Sequence, residues 1–346
     1  MTPNHARRQI GFTLVELMVA MVIALFMLLG LATLTASNST SSREMDKTSR
    51  QIENGRSAVQ LITDDLNLAG FYGTFAPKGA TISAPDPCAV LPAGLGFNNA
   101  LSPVTVAAPV YGYVPTVTPP TCLTNLASGT GIVVVRRVSS TVTAVSAAIS
   151  GETYLQVSGC ANDLQPFVLD SSAANFTLLQ KDCTTVAPLR KYMVHTYYIS
   201  TCDVCSGNSA DTLPTLKVAE FVGGAITITP LAEGIQDLET DYGVDLDNNG
   251  SPDCYVADPG IDNSTACPNW TTAPGWVTGT LQNWGNVTAT RAHILARNTE
   301  RTGDWIDNRT YDMGLGRTAG AFNDKYKRHA FSAVARLVNV AGIREQ

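Results

Sequence analysis

Gly11-Phe12-Thr13-Leu14-Val15-Glu16 opens the stretch that decides the reading, GFTLVELMVAMVIALFMLLGLATLTA over residues 11–36. The 25 residues from Phe12 to Ala36 are apolar except for Glu16 and three threonines. As a helix they would extend about 38 Å, enough to cross a hydrocarbon core of about 30 Å. Met1 to Gly11 is short and polar, with Arg7 and Arg8. The positive-inside rule keeps that end cytoplasmic and places the rest of the chain across the membrane. A cleaved secretory signal needs a shorter apolar run and then a small-x-small site, which Leu34-Thr35-Ala36 matches poorly. A plain anchor accounts for the length but not for Glu16, because an acidic residue in a spanning helix costs roughly 2.5–3.5 kcal/mol and normally has a partner.

The basic leader, the glycine, the aromatic, the glutamate at fixed spacing and the unbroken apolar run together resemble the class III signal of type IV prepilins and pseudopilins. The resemblance implies that a dedicated peptidase cuts after Gly11 and that Phe12 is the methylated mature N-terminus. It also makes Glu16 the carboxylate that docks the subunit. A carboxylate in an apolar bundle is tolerable when it meets a positive charge, and the freed α-amino group of a neighbouring subunit is one. A heterologous contact repeated along an axis builds a helical filament.

Beyond the apolar run, Met45, Ile52, Val59, Ile62, Leu66 and Ala69 make one stripe, with Arg43, Glu44, Asp46, Lys47, Arg50 and Glu53 on other faces. No proline lies between Pro3 and Pro77. The spacing predicts a single helix from Phe12 to Ala69, stopped by Gly70, with Ser37 to Ser42 and Gly55 as its weak points. From Phe71 the composition turns to proline, glycine and threonine with short β-branched runs. Strands are expected at Gly131–Val138, Tyr154–Ser158, Tyr192–Ser200, Thr215–Phe221, Ala225–Thr229, Thr290–Arg297 and His329–Asn339. The expected organisation is a leader (1–11), a spanning or filament-core helix (12–36), the second half of that helix (37–70) and a β-rich head (71–346).

Composition excludes some classes. With 23 Lys and Arg against 29 Asp and Glu, the net charge of −6 leaves no basic face for phosphates, so nucleic acid is not an expected partner. The eight cysteines read as disulfides formed outside the cytosol. Proximity pairs Cys88 with Cys122, Cys160 with Cys183 and Cys254 with Cys267. Cys202-Asp203-Val204-Cys205 lacks the second ligand pair of a zinc site and the βαβ setting of a thioredoxin, so a local structural disulfide is favoured. The four histidines show no metalloprotease spacing, and there is no nucleophile elbow or P-loop, so an enzyme is not expected. His195, within an apolar alternating run, reads as a hydrogen-bonded strand histidine. Trp270, Trp276, Trp284 and Trp305 read as buried anchors of a long loop rather than as a partner or glycan surface.

One loop carries a metal pattern. Asp245, Asp247, Asn249 and Asp253 stand at relative positions 1, 3, 5 and 9, with Gly250 at 6 and the Ser251 carbonyl at 7, as in a calcium-binding loop. Position 12 is Val256 rather than a bidentate glutamate, and Asn-Asn-Gly-Ser is also an ordinary hairpin turn. Calcium and a plain turn both remain open.

The C-terminal part extends the resemblance. Ile235-Gln236-Asp237-Leu238-Glu239, Asp241-Tyr242-Gly243-Val244-Asp245, the aspartate-rich turn, Arg291-Ala292-His293-Ile294-Leu295-Ala296-Arg297 and Phe331-Ser332-Ala333-Val334-Ala335-Arg336-Leu337-Val338-Asn339 resemble the PilW family of minor pilins, relatives of the J minor pseudopilin of type II secretion. What this implies is an α+β, type IV pilin-like fold: a long N-terminal helix packed on an antiparallel β-sheet head with disulfides. The implied role is a low-copy subunit that initiates or caps a type IV pilus, with twitching motility and cell adhesion as the associated expectations. The implied partners are other minor pilins, the major pilin, the prepilin peptidase, the inner-membrane assembly platform and a tip adhesin. The implied location is the inner membrane and then the pilus or cell surface. A type II secretion pseudopilin, or a membrane-anchored extracytoplasmic hydrolase or binding module, is the alternative.

Overall fold

The computed structural model describes residues 11, 13–100, 102–115, 118–270 and 280–345. Two compact units are distinguished, residues 1–49 and residues 50–346. Helix α1 (Leu14–Asn67) is continuous, including Ser37 to Ser42 and Gly55, the expected weak points. In the first unit its large apolar side chains from Leu14 to Leu34 are exposed, and the helix is long and apolar enough to cross a membrane.

In the second unit, the last turns of α1 bury Gln51, Gly55, Ala58, Val59, Ile62 and Leu66. This corrects part of the expected stripe, since Met45 and Ile52 are exposed. Small residues allow close approach of the helix to the sheet, and Gln51 joins the buried face because its Nε2 donates to the carbonyls of Ala296 (2.8 Å) and Lys327 (2.9 Å). The helix gives way to a turn in which Gly70 adopts φ +73° and donates its N–H to the Arg136 carbonyl. A left-handed glycine after the last turn is the usual stop.

Strands β1 (Thr81–Ser83) and β2 (Thr105–Ala107) form a short parallel pair. The first large sheet contains β3 (Val110–Tyr113), β4 (Ile132–Val138), β5 (Tyr154–Val157), β6 (Phe167–Asp170), β7 (Leu189–Ser200), β8 (Thr215–Val222) and β9 (Ala225–Glu233). Its centre is β7, paired with β4 through Tyr192–Tyr197 and with β8 through His195–Ser200, all antiparallel. The second sheet has order β11-β10-β12-β15, from β10 (Ile235–Val244), β11 (Cys254–Val256), β12 (Val287–Arg297) and β15 (Arg328–Arg336). The hairpin β13 (Thr310–Asp312) and β14 (Thr318–Gly320) precedes β15.

Both faces of β4 are buried, which is why its valines run without alternation. Val133 and Val135 share one core with Ile62 and Leu66 of α1 and with Leu238 and Ile294 of the second sheet. Val134 and Val138 enter another core with Tyr72, Leu155, Phe167 and Tyr192. The strand expected over His329–Asn339 ends at Arg336, and Val338–Arg344 forms a second helix, α2. Leu337, Val340 and Ala341 are buried at a 3,4 spacing, which only a helix can direct to one side.

Candidate functional site

Two places in the chain carry the expected functional residues. At the first, Thr13 precedes α1, and both its backbone N–H and its hydroxyl donate to Glu16 Oε2 at 2.9 Å, while the Glu16 N–H donates to Thr13 Oγ1 at 3.3 Å. This reciprocal capping box satisfies two of the N–H groups that open a helix. Glu16 therefore has a partner within its own chain, and its charge lies at the favourable end of the helix dipole. The Thr-x-x-Glu spacing is the sequence signal of this capping box. Gly11 is among the described residues; Phe12, the expected mature N-terminus, lies outside them.

The second is the turn after β10. Carboxylate oxygens of Asp245, Asp247 and Asp253 lie within 4.8 Å of one another. Asp245 is fully buried: Oδ1 accepts the N–H groups of Asn248 (2.7 Å) and Asn249 (3.2 Å), and Oδ2 accepts those of Gly250 (2.8 Å) and Arg344 Nε (2.7 Å). Burial alone would raise the Asp245 pKa, but the Arg344 hydrogen bond and charge and the loop N–H groups outweigh it and hold the carboxyl below its ordinary range. Asp247 and Asp253 are exposed; Asp247 Oδ2 accepts from Asn249 Nδ2 at 2.9 Å, and Asp253 Oδ2 accepts the Leu246 N–H at 2.6 Å. Asn249 Oδ1 accepts the Ser251 N–H at 2.7 Å. Gly250, at φ +83°, makes the bend, and a Cβ there would meet Ala341 and Glu345 of the last helix. The donor chemistry suits a hard cation only in part: Asp247 and Asp253 face outward, whereas Asp245 already braces the loop against Arg344. Nothing in the sequence marked Arg344 for this role.

The remaining charged groups pin elements together. Asp65 on α1 is buried and receives Arg137 Nε at 2.6 Å, His195 Nδ1 at 2.6 Å and the Tyr197 hydroxyl at 3.0 Å. Burial works to raise its pKa, but His195 and Arg137 prevail and lower it. On the second sheet Arg317 bridges Glu239 (2.6 Å) and Asp241, and Asp241 also meets His293 at 3.0 Å. Burial raises Glu239 to about 7 against the pull of Arg317, and Asp237 to about 6. Arg328 is held by Asp307 (2.9 Å) and Asp324 (2.6 Å). Among the described residues these clusters are ion-paired braces between elements, and His195 is the hydrogen-bonded strand histidine.

Disulfides join Cys88 to Cys122, Cys160 to Cys183, Cys202 to Cys205 and Cys254 to Cys267, and no cysteine is free among the described residues. Trp270 and Trp284 are buried, with the Trp284 ring 4.6 Å from Tyr111 and 4.7 Å from Tyr242. Trp305 is half-buried beneath Arg309, and Trp276 lies outside the described residues.

Comparison with known families gives two matches. The prokaryotic N-terminal methylation motif matches residues 6–32, and the type IV pilus-assembly protein W (PilW) family matches residues 196–339. No curated protein and no solved structure is significantly similar to the chain. The second match runs from within β7 through both central strands of the second sheet to the start of α2, and the first covers the capped start of α1. With a methylation-type N-terminus leading a long apolar helix into this α+β head, whose residues 196–339 are similar to the PilW family, the chain is a type IV pilus-related pilin.

Proposed function

We propose that the protein is a minor pilin: a membrane precursor cut after Gly11, methylated on Phe12 and inserted through α1 into the complex that initiates or caps a type IV pilus. The observation that carries this reading is the methylation motif over residues 6–32 at the head of an exposed, apolar helix. Other minor pilins, the major pilin, the prepilin peptidase and the inner-membrane assembly platform are its proposed partners, and a tip adhesin is a further one. The subunit pool would reside in the inner membrane with the head on the far side, and the assembled subunit at the cell surface. Glu16 would dock against a neighbour's free α-amino group, exchanging its own cap for an intersubunit charge pair. The proposed role is structural, with no catalysis.

The deciding measurement is the mass and N-terminal residue of the mature chain from membranes and sheared filaments. A chain starting at methylated Phe12 and present in pili is expected. An intact Met1, or a cut near Ala36, overturns the reading, and a methylated chain found only with secretion machinery assigns it to the J-like pseudopilins.

We also propose that the 245–253 loop takes calcium as a weak structural ligand. Asp247 and Asp253 would supply the exposed carboxylates, with Asp245, Asn249 and the Ser251 carbonyl completing the set. The absent bidentate glutamate and the Arg344 guanidinium on Asp245 place the affinity at the weak, millimolar end of such sites. Its effect would be to stiffen the turn between β10 and β11.

A further inference from the structure

Lys217 is the third residue of β8, and it is only 7% exposed. Among the described residues its ammonium makes no ion pair: Nζ donates to the Asp203 carbonyl at 2.9 Å and to Cys205 Sγ at 3.4 Å. The neighbouring carboxylate, Asp211, feels the Lys217 charge but directs its oxygens to the N–H groups of Asp203, Val204 and Leu213, so it makes no direct ion pair with the ammonium. A buried ammonium without a carboxylate is costly and ordinarily finds an anion. Here the groups within hydrogen-bond reach are the neutral Asp203 carbonyl and a sulfur of the Cys202–Cys205 disulfide. The Ser200 hydroxyl also lies 3.7 Å from Cys202 Sγ and 3.6 Å from Cys205 Sγ.

We propose that Cys202–Cys205 is a thiol–disulfide exchange site, in which Lys217 is the counterion of the Cys205 thiolate in the reduced state and a protein or small-molecule dithiol is the reaction partner. Cys205 is half-buried, whereas Cys202 is 7% exposed, so Cys205 is the sulfur an incoming thiolate reaches. That thiolate forms a mixed disulfide with Cys205. The Cys202–Cys205 bond breaks, and its electron pair leaves on Cys202, which takes a proton from solvent. The partner's second thiolate then attacks the partner sulfur of the mixed disulfide, and Cys205 leaves as a thiolate beside Lys217. Two electrons pass to this chain, and the partner leaves as a disulfide. The other three disulfides close loops with separations of 34, 23 and 13 residues against 3 here, so opening this one releases the least chain. Its reduction frees the segment between β7 and β8 while the longer staples hold.

The test uses the full-length chain in detergent, equilibrated with graded ratios of reduced to oxidised dithiothreitol. Free thiols are trapped by alkylation and located by peptide mass spectrometry. Cys202–Cys205 is expected to open before the other three pairs. In that state Cys205 should alkylate at pH 7 roughly fifteenfold faster than an ordinary thiol, the ratio of thiolate fractions for a pKa near 7 against 8.5. Lys217→Met should remove that advantage, and Lys217→Arg should keep it. Should Lys217→Met not fold, the pH profile of Cys205 alkylation in the wild type decides, with Lys217, Asp211, Asp203 and the Tyr198 phenol as the titratable groups around it. A midpoint near neutrality supports the proposal. A midpoint of 8.5 or higher, simultaneous opening of all four pairs, or an unchanged Cys205 rate in a folded Lys217→Met variant overturns it.

Discussion

Replacing Gly55 by alanine should destabilise this protein, although the same change in an exposed helix adds stability. Glycine in a helix interior is about 0.8–1.0 kcal/mol worse than alanine, so propensity alone predicts a gain of that size. An ideal Cβ on Gly55, however, falls within 2.9 Å of three carbons of the Phe331 ring, Cδ2, Cε2 and Cζ. Ordinary carbon contacts are about 3.5–4.0 Å, so the ring has to shift by about 1 Å or more, and overpacking of this kind costs about 1–3 kcal/mol. The net expectation is a loss of up to about 2 kcal/mol. In a unit of this size that lowers Tm by up to roughly 3 °C, at about 1.6 °C per kcal/mol. Truncating the ring reverses the sign: Gly55→Ala in a Phe331→Ala background should add about 0.5–1 kcal/mol, because the propensity gain is then unopposed. The assay is thermal unfolding of the four detergent-solubilised chains as a double-mutant cycle. A higher Tm for Gly55→Ala in the wild-type background, or no change of sign between backgrounds, refutes the reasoning.

Asp65→Ala should cost about 3–5 kcal/mol in denaturant unfolding, since it leaves the half-buried Arg137 without its anion and the buried His195 with only Glu220, at 3.5 Å. Because the folded Asp65 pKa is lowered, its contribution is present above pH 4 and is lost as pH falls through the folded value; acid unfolding of Asp65→Ala should accordingly be shallower. Glu239 has the opposite sign: raised to about 7, it stabilises below its unfolded pKa and loses that contribution as pH rises through 7. Glu239→Gln should therefore flatten the decline in stability between pH 5 and 8 by an amount on the order of 1–3 kcal/mol, and identical pH profiles would contradict this. For calcium at 10 mM and a Kd of about 1 mM, mass action gives about 1.4 kcal/mol, a Tm rise of a few degrees over chelator that Asp247→Asn with Asp253→Asn abolishes. Equal Tm in calcium and chelator removes calcium from the loop. Glu16→Ala should leave the precursor cut after Gly11 while the subunit disappears from sheared pili; unimpaired assembly argues against the docking role.

The sequence by itself determined the elements whose cause is local. Apolar length without proline makes α1 continuous across Ser37 to Ser42, and β-branched runs mark β4, β7 and β8 to within a few residues. Buried valines on successive positions of β4 likewise announce a strand covered on both faces. Local spacing did not decide which face of α1 turns inward. Ile52 fits the apolar period yet is exposed, while Gln51 is buried, because carbonyls of Ala296 and Lys327, 245 and 276 residues away, offer it hydrogen bonds. Gly55, read as a weak point in the helix, is where the Phe331 ring packs directly against the backbone. The aspartates after β10 were legible as a pattern, but only folding brought Arg344 from 99 residues away onto Asp245 and made part of that pattern a structural brace. His195 was legible as a strand histidine, whereas its carboxylate on α1, 130 residues earlier, was not. Period, length and capping act within a few residues of chain, so a sequence displays them; the partner of a buried charge is chosen by packing, which brings together residues the chain keeps far apart.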